Sequence, residues 1–261
     1  MASYGSLSFA EQVAFFRQKL NLPTQRWDDL LGAAHDRAFV VAGATSADLL
    51  ADLNAAVTRA IEQGVSIQQF RADFESIVAK HGWTGWTGEG TEAGRAWRAR
   101  VIYETNLRTS HAAGRYAQLQ ELKAKRPYWR YRHNDTVRYP REHHVALDGL
   151  VLPADHPFWQ TAYPPNGFGC RCFVESLSEA QMRREGLQVG RAPDDFKPDR
   201  GWDYAPGASL LDESRALLER KAATLPPTIA RSWLTDILGR TAGATWRSLR
   251  AFAQTLLDLI R

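Results

Sequence analysis

Residues 128–172 read YWRYRHNDTVRYPREHHVALDGLVLPADHPFWQTAYPPNGFGCRC, and the organisation of the whole chain is read outward from them. The stretch opens with alternating aromatic and basic residues, Tyr128 to Arg132, the period-two pattern of a strand with one buried face. Residues 150–152 and 172–174 are two further short apolar runs, set apart by Pro, Gly and Asn turns. The predicted product is a small, irregular β-sheet. The same stretch holds both cysteines, Cys170 and Cys172, and four of the seven histidines, His133, His143, His144 and His156.

Upstream, residues 91–125 predict one long helix with Trp97, Val101, Leu107 and Leu119 among its apolar positions, closed by Pro127. Before it, GWTGWTGEG at residues 82–90 is the clearest loop and the predicted domain boundary. The first 80 residues read as helices. Ser8 and Glu11 have capping-box spacing ahead of an apolar run to Leu20. Pro23 stops that run, and Thr24 opens a second helix carrying Trp27, Leu30, Leu31 and Ala34. Ser46 opens a third that ends at Gly64, and Ser66 with Gln69 opens a fourth that ends at Gly82. Residues 186–210 are rich in Pro, Gly and Asp and read as an extended arm or linker. Residues 209–261 return to amphipathic helix, suited to packing on the body or on a partner helix.

The expected fold is α+β: a helical N-terminal domain (1–85), a long helix packed on a small irregular sheet (91–185), the arm (186–210) and a helical C-terminal tail (211–261). The chain has 261 residues, enough for one large or two small cores. No run approaches a membrane-spanning length, and the first residues show no secretory signal. Two cysteines are no disulfide framework, and a reducing cytoplasm of synthesis fits. The net charge of +4 is unevenly spread. Residues 1–94 carry 7 basic and 11 acidic side chains, residues 95–142 carry 12 and 4, and the remainder is balanced. That arginine-rich block is either a solvated helix face or a contact for a polyanion or acidic surface. Arg98, Arg100, Arg108, Arg130, Arg132, Arg138 and Arg141 are its candidates.

Asp135, His144, Cys170 and Cys172 are residue types that hold a borderline metal such as zinc in a tetrahedral site. Two cysteines one residue apart on a strand point to the same face. Against this stands the plainer reading of two small buried thiols bracketing Arg171. His143 and His144 near Asp148 also suggest acid–base chemistry, as in a histidine-dependent nuclease. The P-loop, G-x-S-x-G and H-E-x-x-H motifs are all absent. The turn Pro164, Pro165, Asn166, Gly167 reads as a rigid close approach of backbone.

Three motifs together resemble a known family. They are H-x-x-L-D-G (His144, Leu147, Asp148, Gly149), P-P-N-G-F-G-C-R-C from Pro164 to Cys172, and Asp135-x-x-Arg138. Arg100, Glu104, Thr105, Asn106 and Gly114 match the helix that leads into it, and residues 201–207 (GWDYAPG) resemble its arm motif. This is the phage Mu F-like head morphogenesis family, which is similar to the minor head protein of phage SPP1. The resemblance is specific over residues 95–207 and makes Asp148, Gly149, Pro165, Asn166 and Gly167 signature positions. It implies a non-enzymatic minor head protein of a tailed phage, in the head interior or near the portal. Its implied partners are portal and capsid proteins and packaged double-stranded DNA, with no membrane. No cofactor is implied beyond the structural zinc considered above. A metal- or histidine-dependent nuclease or transferase is the alternative.

Overall fold

The computed structural model describes residues 9–209 and, beyond them, residues 219, 223, 227–228, 231, 234–235 and 254–259. Ser8 and most of the predicted tail, including Trp233 and Trp246, lie outside the described residues. The fold is α+β. Seven helices are described: α1 (Ala10–Arg17), α2 (Ala47–Gln63), α3 (Ile67–His81), α4 (Glu92–Leu122), α5 (Glu142–Val145), α6 (Phe158–Ala162) and α7 (Glu179–Arg184). Five strands accompany them: β1 (Leu20–Asn21), β2 (Ala38–Phe39), β3 (Tyr128–Arg132), β4 (Val151–Pro153) and β5 (Phe173–Leu177). Among the described residues, no helix is long and apolar enough to cross a membrane.

The helix boundaries follow local chemistry where capping is strong. The Ser46 hydroxyl accepts from Leu49 N and that of Ser66 from Gln69 N, so each satisfies an otherwise orphaned amide. Gly64 and Gly82 close the same helices in left-handed conformation. Thr91 caps α4 by accepting from Gly94 N.

The helix predicted after Thr24 does not form. Asp29 folds back, and its carboxylate accepts from the amides of Gln25 (2.8 Å) and Arg26 (2.9 Å), closing a turn instead. A single 3-10 turn, Gly32–Asp36, follows, and β1 pairs with β2 in parallel. Trp27 is half-exposed and lies edge-on to Phe168, with Arg200 over its ring. Tertiary contact with the arm thus outweighs helical periodicity. The apolar run before it is also shorter than predicted, since α1 ends at Arg17.

Helix α4 serves two cores. Its first half joins α1, α2, α3 and β2 around Leu50, Leu53, Val57, Phe70 and Phe74. Trp83 and Trp86 of the glycine-rich loop are buried in that core, with the Trp83 indole donating to Gly43 O. The second half covers the sheet, ordered β4-β3-β5 and antiparallel throughout, where Leu119 meets Trp129, Tyr131, Leu152 and Trp159. Small residues, Ala99, Ala113, Gly114 and Ala117, make up part of the inward face of α4, beside Ile102 and Leu119. Trp97, one of the predicted apolar positions of this helix, is exposed. A Cβ on Gly114 would come within 2.9 Å of Gln12 N, so α1 can cross α4 only over a bare glycine. Gln12 fixes that crossing by donating to Leu107 O and Ser110 Oγ, both at 3.0 Å.

Residues 186–207 have no regular structure but are packed along the body. Gly190 N donates to Val151 O and Asp199 N to Asn166 O, while Gly32 N donates to Gly201 O. Trp202, Tyr204 and Ala205 are buried. The arm ends on Asp36, a buried carboxylate that accepts from Gly207 N (2.9 Å) and Ser209 Oγ (2.8 Å).

Two glycines separate backbone strain from packing. Gly64 and Gly207 are both left-handed, but only Gly207 abuts Ala113, where an added Cβ would lie 3.0 Å away. Gly64→Ala is expected to cost about 1 kcal/mol. Gly207→Ala should cost about 1–3 kcal/mol more, because α4 would have to give way. Urea denaturation of the two variants checks the difference.

Candidate functional site

The signature stretch becomes a site because three separate segments meet at its two sulfurs. β3 runs inward with Trp129 and Tyr131 fully buried, and the same alternation carries His133 inward just past the strand end. Asp148 holds that turn, its carboxylate accepting from His133 N (2.8 Å) and Arg132 Nε (3.0 Å). Arg132 and the His133 amide keep the Asp148 carboxyl below the ordinary range, even though burial pushes it the other way. Gly149, at φ +82, lets the chain return so that its amide donates to Tyr131 O (2.9 Å). Helix α5 places His144 beneath this turn, with 2% exposure.

The third segment is the turn after α6. Asn166 is fully buried and its Nδ2 donates to Tyr131 Oη (3.0 Å) and Ala162 O (3.1 Å). Gly167 lies against the Asp199 carboxylate, which Arg141 pairs at 3.3 Å. A side chain at Gly167 would displace that carboxylate. Cys170 N then donates to Gly167 O, and both cysteines are buried and free of any disulfide.

His144 Nδ1 lies 3.6 Å from Cys170 Sγ and 3.9 Å from Cys172 Sγ. His133 Nδ1 lies 3.5 Å from Cys172 Sγ. Donors surround the sulfurs: the amides of Asn166 and Cys172 reach Cys170, and the Asn134 amide and Tyr131 hydroxyl reach Cys172. The Cys172 S–H beside it makes Cys170 the readier of the two thiols to ionise, against the cost of burial. Cys172 is pushed up by the same pairing and by burial. Two neighbouring anions repel, so one ionisation opposes the next. Burial drives the Tyr131 hydroxyl well above its ordinary range, so it stays protonated and able to donate.

Of the four predicted metal ligands, the structure brings His144, Cys170 and Cys172 together, their donor atoms all within 4.8 Å of one another. Asp135 stands apart, exposed in the turn after His133. His133 occupies the side of the cluster where Asp135 was expected. The signal for it was present in the sequence, as the third inward position of the Trp129, Tyr131, His133 alternation. His143 packs edge-on to His144 at 4.5 Å.

The predicted arginine contacts divide. Arg98 is buried and donates to Ala42 O. Arg108 bonds Glu104 (3.3 Å) and Arg130 bonds Glu175 (2.6 Å) and Glu185 (3.3 Å). Arg132 bonds Asp148 and Glu175, and Arg141 bonds Asp199 and donates to Phe168 O. Arg100 and Arg138 are exposed, the latter over the Tyr139 ring. A cleft of about 690 Å³ lies between α4 and the Cys170–Cys172 turn, with Arg108, His111, Arg115 and Arg171 in its walls.

Residues 51–175 match the model of the family described as Phage Mu protein F like protein. The chain is 35% identical over 251 residues to the "Putative capsid assembly protein F" of Escherichia phage Mu, a match covering 80% of this chain and 56% of that protein. It is 40% identical over 170 residues to the Mu-like prophage FluMu F protein of Haemophilus influenzae, covering 64% of this chain and 41% of the other. The chain thus spans about half the length of these relatives. No solved structure matches it.

Tyr131→Phe removes the hydroxyl that links Asn166 to Cys172 and strands one buried amide hydrogen. A loss of about 1–3 kcal/mol is expected, read from the shift of the denaturation midpoint at unchanged slope.

Proposed function

We propose that this chain, which carries a phage Mu F-like domain over residues 51–175, is a minor head protein of a tailed phage and acts in head morphogenesis. The observation that carries this reading is the 35% identity to the Mu F protein across 80% of the chain. The family match over residues 51–175 takes in most of α2, all of α3 and α4, and the signature turn. The chain docks at the portal or the inner capsid surface, resides in the virion head, and takes part in DNA packaging or delivery. Its role is non-enzymatic.

The distribution of arginines supports a docking surface of limited charge. Arg130, Arg132 and Arg141 are spent on carboxylates of the chain's own fold. Arg100 and Arg138 are exposed and suit contact with an acidic partner or with phosphate. Such contacts are independent of base sequence and weaken with salt.

One observation keeps an enzymatic reading testable: the cleft beside the Cys170–Cys172 turn, walled by three arginines and His111. Against it, the Asp148 carboxylate is engaged by His133 N and Arg132, and His144 is buried, so neither is presented to a substrate.

In the phage that encodes the chain, His144→Ala is expected to abolish filled heads. The purified wild-type protein should cleave neither RNA nor DNA. Normal heads in the variant, or nucleic-acid cleavage that His144→Ala removes, would reverse the reading. If DNA is a partner, the double change Arg100→Ala, Arg138→Ala should lower the slope of log affinity against log salt by about 2.

A further inference from the structure

The geometry points to a zinc ion held by His133 Nδ1, His144 Nδ1, Cys170 Sγ and Cys172 Sγ, a structural centre that pins β3, α5 and the turn before β5 to one another. Zinc takes sulfur at about 2.3 Å and imidazole nitrogen at about 2.0–2.1 Å in a tetrahedron, which sets each nitrogen–sulfur edge at about 3.6 Å. The three edges present are 3.5, 3.6 and 3.9 Å. The donor atoms of His144 and both cysteines lie within 4.8 Å of one another, and His133 joins this group through Cys172.

Three backbone amides and the Tyr131 hydroxyl point at two sulfurs. A thiol accepts hydrogen bonds weakly, whereas a thiolate accepts them well. Two thiolates buried side by side need a cation between them. Zn²⁺ with two thiolates and two neutral imidazoles carries no net charge, so burial costs it little. With Nδ1 on the metal, each ring carries its proton on Nε2. That of His144 is buried and has no partner among the described residues.

The local architecture gives such an ion a task. The sheet has strands of only five, three and five residues, and the segments between them are turns and single-turn helices. Backbone ladders hold little of this region, and a metal that closes three loops at one point supplies the missing constraint. The inference concerns folding of this domain and holds whether or not the chain serves in a phage head.

Elemental analysis of the full chain, purified without chelator, should show about one zinc per chain. Chelation should lower the thermal midpoint, and zinc should restore it. Cobalt added to the apo-protein should give the visible bands of tetrahedral Co²⁺ with a thiolate charge-transfer band in the near ultraviolet. Asp135→Ala should keep full metal content, while His133→Ala should lose it. His133→Cys should keep the metal and strengthen the charge-transfer band, which distinguishes ligation from a variant that fails to fold. Protein that contains no metal and takes up no cobalt overturns the site and leaves a dry thiol–imidazole hydrogen-bonded cluster. Metal lost in Asp135→Ala but kept in His133→Ala overturns the assignment of His133.

Discussion

A buried polar group must find a partner, and the sheet half of this protein is arranged around one chain of such partners. Asn166 donates to the Tyr131 hydroxyl, and that hydroxyl lies beside the Cys172 sulfur. All three side chains lie in an apolar core with Trp129, Trp159 and Val174. Each link costs little only while the next is in place, because an unpaired amide or hydroxyl there loses its hydration without compensation. The chain of bonds therefore fixes the distance between β3 and the Pro164–Cys172 turn. It also accounts for several signature positions. Asn166 is the only residue in the turn that donates to Tyr131 and Ala162 at once, Gly149 turns the chain back to β3, and Asp148 anchors the histidine beyond it.

The helical half meets this region through α4, which has small residues inward and α1 seated over Gly114. A helix shared by two cores couples them mechanically, since a shift along its axis disturbs both. The arm adds a second tie. Between Asp199 and Gly207 it crosses from the signature turn at Asn166 to Gly32 and Asp36 in the N-terminal half. The phrase GWDYAPG is thus a clasp between the halves, with Trp202, Tyr204 and Ala205 buried and Gly207 against α4.

Charge behaves differently at the two levels. The excess of arginine in residues 95–142 is a plain fact of composition. Arg130, Arg132 and Arg141 are paired within the fold, with Glu175, Glu185, Asp148 and Asp199, all of them outside the basic block. A charge count by segment overlooks partners that arrive from elsewhere in the chain, so fewer unpaired guanidinium groups remain than the block suggests.

What the sequence alone determined is local. Ser46, Ser66, Thr91, Gly64 and Gly82 mark helix ends because caps act within four residues, and Tyr128–Arg132 shows its buried face because strand alternation is a local period. The residue types of the sulfur–imidazole cluster and the family motif were legible for the same reason. Tertiary structure decided what depends on distant segments. It replaced the helix after Thr24 with turns docked on the arm, left Trp97 exposed, and set His133 beside Cys172 where Asp135 was expected. His133 and Cys172 are 39 positions apart. No local preference encodes such a meeting, because it follows from how β3, α5 and the turn before β5 share one buried volume.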